Sequence, residues 1–315
     1  MLAAHIGDKL EITKAPRPAI SKNEALIRVH CTGICNTDIE LLKGYMGFIG
    51  IPGHEFVGTV EECADKDWLG KRVVGEINLA CEQCDYCSHS LQRHCPNRSV
   101  LGILNKDGAM AEYVSLPIQN LHIVPESIPD HKAVFTEPLA AACEIAEQVH
   151  LRPGMSTLVI GDGKLGLLIV QVLKKYGCDA WLLGRHRNKL NLAENWGVKT
   201  TDQPEKLLNK FDLIVEATGA GKAFALAAEK VRPRGILALK STYAGSVELN
   251  LAPLVINEIT LVGSRCGQFK PALKMLANGE IDTESLITDR MPLEQAIEAF
   301  RLAQKPSVLK VLLEM

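Results

Sequence analysis

Residues 157–177, "TLVIGDGKLGLLIVQVLKKYG", place an apolar run, three glycines and a long helical pattern in direct succession. The run before Gly161 reads as a buried strand and the segment after Gly163 as a helix. Gly161, Gly163 and Gly166 stand between them at G-x-G-x-x-G spacing. A bare strand-to-helix turn is the plainer reading of such glycines, but each has a reason here. Gly161 suits a tight turn, Gly163 lets the backbone approach a pyrophosphate, and Gly166 lets helix and strand pack closely. The helix start then presents its positive end to the phosphates. Lys164 and Leu165 at that start, Thr218 in "DLIVEATG" and Arg265 after "ITLVGS" complete the expected cofactor-binding set.

Outward from this stretch the same texture continues. "AWLLG", "KLNLAENWG", "DLIVEATG", "GKAFALAAEKV", "GILALKS" and "ITLVGS" alternate strands with helical patterns, which predicts a doubly wound parallel sheet covered by helices. The segment "KTTDQPEKLLNKFD" reads as the one loop-like interruption. The first 120 or so residues differ: "EALIRVHCTGIC", "EFVGTVEEC", "GKRVVGEI" and "AEYVSLP" are β-rich runs divided by turns, suggesting a β-barrel or sandwich. Near Cys266 the chain returns to helices, "KPALKMLANGE" and "LEQAIEAFRLAQ", and finishes on a strand, "SVLKVLLEM". A terminal strand needs a partner, and the expected one lies in the first domain. The expected organisation is therefore residues 1–140 and 267–315 as one discontinuous domain, with residues 141–266 inserted as the dinucleotide-binding domain.

The end of the strand after the glycine-rich turn bears on the choice of dinucleotide. An NAD enzyme usually places Asp or Glu about 20 residues on, to accept hydrogen bonds from ribose hydroxyls. Gly184 stands there, followed by Arg185 and Arg187, while Asp179 comes too early. A guanidinium suits a 2'-phosphate that a carboxylate would repel, so NADP(H) is expected over NAD(H), with a merely solvated turn as the alternative.

Composition narrows the remaining classes. At 315 residues two domains are the natural expectation. Apolar residues make up 47% and charged residues 23%, with a net charge of only -2, so charge implies no nucleic-acid or membrane partner. "MLAAHIGDKLEITK" lacks the basic segment and apolar core of a secretory signal, and no stretch approaches the roughly 20 apolar residues of a membrane span. Ten cysteines in such a chain read as thiols or metal ligands rather than disulfides, and the expected location is the cytoplasm.

Four of those cysteines, Cys81, Cys84, Cys87 and Cys95, fall within "CEQCDYCSHSLQRHC". C-x2-C-x2-C-x7-C spacing can bring four thiolates onto one tetrahedral zinc ion with no open position, a structural site. An iron-sulfur cluster is the competing occupant. His89 and His94 lie inside the lobe and are expected to stay solvated. Cys31, Cys63, Cys178 and Cys266 read as buried small apolar residues. A second set is mixed: "GICNTDIE" (33–40) offers Cys35, "GHEFVG" (53–58) offers His54 and Glu55, and "TEPLAAAC" offers Glu137. Cys, His and carboxylate together can hold zinc while leaving room for water or substrate.

With both cysteine-containing sets and the glycine turn in place, the chain resembles the zinc-dependent medium-chain dehydrogenases, the alcohol, sorbitol and threonine dehydrogenase superfamily, over essentially its whole length. The resemblance implies a GroES-like β-barrel catalytic domain plus an inserted Rossmann domain, and two zinc ions per chain. It makes Cys35 and His54 ligands of the catalytic zinc and Glu55 a carboxylate that binds it or exchanges with water. Glu137, in an "EP" motif like that of polyol-type members, becomes the fourth ligand, with water or Cys143 as rivals. Asp38 resembles the carboxylate that orients His54, and Thr37 the hydroxyl that relays the substrate proton. Glu40 stands where many alcohol dehydrogenases have the histidine at the far end of that relay. The implied activity is reversible hydride transfer between an alcohol, with a lean towards polyols or sugar alcohols, and the dinucleotide, in a homodimer or homotetramer. A non-catalytic nucleotide-binding sensor and a zinc-independent quinone or enoyl reductase are the other readings, and the intact metal sets argue against both.

Overall fold

The computed structural model describes residues 1–242 and 250–315, which divide into two units: Met1–Glu137 with Phe269–Met315, and Pro138–Gln268.

The first unit opens with a hairpin, Leu2–Ile6 against Leu10–Lys14. Its main sheet is built on β1 (Glu24–Gly33), a ten-residue strand whose apolar side chains are mostly buried. β2 (Glu55–Cys63) pairs antiparallel with β1, β3 (Arg72–Gly75) with β2, β4 (Tyr113–Pro117) with β1, and β5 (Leu121–Ile123) with β3. After Gly33 the chain leaves the sheet and α1 (Asn36–Leu42) begins, with Cys35 as its N-cap. The side chain of Asp38, in the first turn, accepts the Cys35 N–H at 2.8 Å, so the helix start and the loop before it hold each other. α2 (Thr136–Gln148) starts at the end of this unit.

The second unit is a six-stranded parallel sheet. β6 (Ser156–Ile160) is an apolar run buried as parallel strands are. α3 (Lys164–Lys175) follows it with eight consecutive residues buried, Gly166–Leu173, and lysines in its last turn, where they suit the helix dipole. β7 (Asp179–Leu183), α4 (Arg187–Asn195), β8 (Lys199–Thr201), β9 (Phe211–Glu216), α5 (Gly221–Lys230), β10 (Val231–Leu239) and β11 (Thr260–Gly263) complete the alternation. The strand order is β8-β7-β6-β9-β10-β11, the 3-2-1-4-5-6 order of dinucleotide-binding sheets, with its switch point between β6 and β9. The segment expected to be a loop, 199–212, in fact supplies β8. This strand is three residues long, polar and at the sheet edge, so it carries no apolar alternation to betray it. Leu158, Ile214, Phe211, Phe224 and Leu237 form the centre of one core on this sheet.

The chain then returns to the first unit through α6 (Phe269–Ala277), β12 (Ile287–Pro292), α7 (Ala296–Ala303) and β13 (Lys310–Glu314). β13 runs parallel to β12 and antiparallel to β1, placing Leu312 opposite Gly33. Phe300, Val311 and Leu313 join Ile6, Ile34, Leu41 and Met110 in a core, so apolar burial anchors the terminal strand. Among the described residues no helix is long and apolar enough to cross a membrane.

Candidate metal centres and dinucleotide site

Strand register assembles the mixed set. Gly33 at the end of β1 pairs with Glu55 at the start of β2 on one side and with Leu312 on the other. Cys35 follows Gly33 by two residues and His54 precedes Glu55 by one, so both flank the same end of the sheet. One ligand atom from each of Cys35, His54 and Glu55 lies within 4.8 Å of the others. Glu137, half-buried in the first turn of α2, is not in that group. Cys143 is buried in the second unit, where burial and then Glu147 push its thiol up to about 12.

The His54 ring is fully enclosed, and its Nδ1 has no hydrogen-bond partner. Asp38, itself 0% exposed, brings Oδ1 to 3.4 Å from that nitrogen and accepts the N–H groups of Cys35 and Gly53. Burial alone would lower the His54 pKa, but the Asp38 carboxylate and then Cys35 raise it well above the ordinary value. The same anionic field favours a cation among these side chains. A buried imidazole with Nδ1 facing a fixed carboxylate, and with a thiol and a second carboxylate within reach, fits a zinc site in which Asp38 orients the histidine. Thr37 is half-buried, its Oγ1 3.7 Å from Cys35 Sγ. Glu40 is exposed and accepts a hydrogen bond from Lys43 Nζ at 2.9 Å.

Lys310 was missed by the sequence reading. Its ammonium is buried on Glu55, with Ile34 O at 3.4 Å and the Phe135 ring 5.7 Å away. Burial opposes its charge, but Glu55 first and Cys35 next raise its pKa above the ordinary value. A Cβ at Gly33 would stand 2.5 Å from Glu55 Oε2, so the missing side chain makes room for the pair. The available signal was one lysine inside the apolar run "VLKVLL", since a buried amine needs an acid partner.

The four-cysteine lobe is compact. Cys84 Sγ lies 3.5 Å from Cys87 Sγ and 3.7 Å from Cys95 Sγ, and Cys95 Sγ lies 3.5 Å from Cys81 Sγ. Four thiolates about 2.3 Å from one tetrahedral ion would be about 3.8 Å apart. The sulfurs thus suit a single ion, are too far apart for disulfides, and are too close to wrap a multi-iron cluster. The Gln83 N–H, then neighbouring sulfurs, pull the Cys81 thiol down to about 6, while burial pushes Cys87 up to about 12. His89 turns to Asp85, with Nδ1 2.8 Å from the Asp85 carbonyl, and His94 is exposed. Of the four remaining cysteines read as buried, Cys31 and Cys178 are, whereas Cys63 and Cys266 are half-buried.

In the second unit the glycine turn has the shape its spacing implied. Gly161 adopts φ 121°, open to glycine alone at little strain, and a Cβ on Gly166 would be 1.9 Å from Gly161 O. A Cβ on Gly163 would meet nothing within 4 Å, so the start of α3 faces an open cradle that fits a pyrophosphate. Thr218 N and Oγ1 both donate to the buried Glu216 carboxylate, which ties down the loop after β9. Lys240 Nζ donates to Arg265 O at 2.6 Å. Lys164 and Leu165 occupy the first turn of α3, both half-buried. After β7, Arg185 is exposed and Arg187 is ion-paired with Glu194 at 2.8 Å. The N–H groups of Arg185 and His186 are both taken by Asp162, the residue between Gly161 and Gly163.

Two family models match the chain: the alcohol dehydrogenase GroES-like domain over residues 21–126 and the glucose dehydrogenase C-terminus over residues 130–315. D-arabitol-phosphate dehydrogenase of Enterococcus avium is 28% identical over 332 residues, spanning 98% of this chain and 94% of that protein. A crystal structure of a protein from Sinorhizobium meliloti described as a zinc-binding dehydrogenase, bound to NADP, superposes with TM-score 0.92 at 25% identity, covering 100% of this chain and 99% of that one. An alcohol dehydrogenase of Escherichia coli complexed with NADH has the same TM-score and coverage at 26% identity.

Proposed function

The chain belongs to the zinc-type medium-chain dehydrogenases, with a GroES-like domain and a Rossmann domain, and we propose that it oxidises a polyol or sugar alcohol reversibly with a nicotinamide dinucleotide. The observation that carries this reading is the convergence of Cys35, His54 and Glu55 beside the buried Asp38. Cys35 and His54 would hold a zinc ion, with Glu55 and Glu137 as further carboxylates for it, and Cys81, Cys84, Cys87 and Cys95 would hold a second, structural ion. When bound, zinc supplies Lewis-acid polarisation of the alcohol or carbonyl oxygen and nicotinamide supplies the hydride acceptor or donor.

The chain's own residues do the rest. Asp38 keeps the His54 ring turned so that its other nitrogen is available as a ligand. Lys310 restrains Glu55 through their buried ion pair. Thr37 Oγ1 would accept the hydroxyl proton of the alcohol as its own hydroxyl proton leaves to solvent water. Gly163 leaves the start of α3 open to the pyrophosphate. At the adenosine ribose, Arg185 and Arg187 favour NADP(H) while Asp162 pulls the other way. The D-arabitol-phosphate dehydrogenase likeness supports the polyol lean. A homodimer or homotetramer is supported by β11, the last strand of its sheet among the described residues, together with exposed Leu261, Val255 and Ile256.

The test is activity on a panel of polyols and sugar alcohols, following absorbance of the reduced dinucleotide, with Cys35→Ser and metal-depleted protein alongside. Both should lose turnover, and Cys35→Ser should keep dinucleotide binding. Retained turnover in metal-free protein, or a single ion per chain confined to the cysteine quartet, refutes the scheme.

A further inference from the structure

At the carboxyl end of β7, the position that an NAD enzyme fills with an acid is Gly184. A carboxylate nevertheless stands there. Asp162 reaches across from the glycine turn, is only 8% exposed, and accepts the N–H groups of Arg185 and His186, both at 2.7 Å. His186 Nδ1 lies 3.0 Å from the same carboxylate oxygen. The two positions exclude each other: a Cβ on Gly184 would stand 2.6 Å from both Cβ and Oδ2 of Asp162. An acid at 184 and an acid at 162 cannot coexist, so the glycine makes the room that the other carboxylate fills.

We propose that Asp162 is the ribose-recognising acid of this protein, delivered from the glycine turn instead of the strand end, and that it selects NAD(H) over NADP(H). The proposal rests on the dinucleotide reading of the Gly161–Gly166 turn. Its argument is competition for one set of donors. A 2'-phosphate after β7 would draw on the N–H groups of the turn before α4, and Asp162 already holds those of Arg185 and His186. A second anion there would meet its charge at short range, whereas a ribose hydroxyl could donate to it. The cations nearby do not reverse this. Neither guanidinium bonds to Asp162, Arg187 is engaged by Glu194, and burial opposes the charge of Lys189, with the Asp162 carboxylate favouring it. The hydrogen bonds of His186 and Arg185 outweigh burial and hold the Asp162 carboxyl below its ordinary value, so the repelling charge is present at neutral pH.

Direct binding tests this without reference to turnover. NADH and NADPH are titrated against the zinc-loaded protein by nucleotide fluorescence, and 5'-AMP against 2',5'-ADP by calorimetry. Wild type should bind NADH about tenfold or more tightly than NADPH. Asp162→Asn keeps an acceptor for the turn, removes the charge, and should move the NADH to NADPH affinity ratio about tenfold or more towards NADPH. Asp162→Gly combined with Gly184→Asp, which removes the Cβ at 162 as well as the carboxylate, should restore the preference by returning the acid to the strand end. Equal or tighter NADPH binding by wild type, or an unmoved ratio in Asp162→Asn, overturns the inference while leaving the dehydrogenase reading intact. Binding of neither nucleotide overturns both.

Discussion

Replacing Lys310 by Met isolates the buried ion pair beside the Cys35–His54–Glu55 cluster. Lys310 and Glu55 each expose 2% of the side chain, so no solvent screens them. Two unit charges in contact attract by about 4–5 kcal/mol at an effective dielectric of about 20. Desolvation of both ions offsets much of this in the intact pair, but the single variant leaves the Glu55 carboxylate buried without its cation. The expected loss is about 3–5 kcal/mol. At about 2–4 °C per kcal/mol for a unit of this size, melting should fall by about 6–20 °C. Thermal melts followed by far-UV circular dichroism measure it. Lys310→Met combined with Glu55→Gln removes both charges and should melt within a few degrees of wild type. If Lys310→Met melts as wild type does, or the double variant is no better than the single, the pair does not carry the stability assigned to it.

Cys95→Ser, at a sulfur that is 0% exposed, should lower metal content by one ion per chain and make the 81–95 lobe the first site of proteolysis; unchanged stoichiometry by elemental analysis would refute the shared ion. Gly163→Val should fold normally and bind NADH about tenfold or more weakly, whereas Gly166→Ala, with its Cβ 1.9 Å from Gly161 O, should destabilise the second unit by about 1–3 kcal/mol. Equal effects in calorimetry would contradict the two glycine roles. The His30 hydrogen bond, with Arg72 in support and burial opposing, holds the Asp130 carboxyl below its ordinary 3.8. Its stabilising contribution is therefore complete above 3.8 and is lost as pH falls through the lowered folded value. Asp130→Asn should be less stable than wild type at neutral pH and converge with it in acid, and denaturant curves that stay parallel down to about pH 2 would refute this.

Where chemistry depends on neighbours in sequence, it was legible. The Cys81–Cys95 quartet, the Gly161–Gly166 turn and the Cys35–Asp38 segment are each set by spacings of a few residues, and a turn or helix start converts such spacings directly into geometry. The alternation of "TLVIG", "AWLLG" and "DLIVEATG" with helices likewise made the parallel sheet readable, because buried strands must be apolar on both faces. The polar edge strand Lys199–Thr201 escaped for the converse reason: its pairing comes from the adjacent strand and not from its own pattern.

What the chain's order of residues determined alone was which elements form and which clusters can hold an ion or a phosphate, since those follow from short-range periodicity and turn chemistry. Tertiary structure decided which charges meet. Lys310 and Glu55 are 255 positions apart and pair only because an apolar terminal strand docks on β1. Asp162 reaches the N–H groups of Arg185 and His186 only because parallel strands bring two turns to the same end of the sheet. Buried charges must find partners, and which partner is available is a property of packing, not of spacing along the chain.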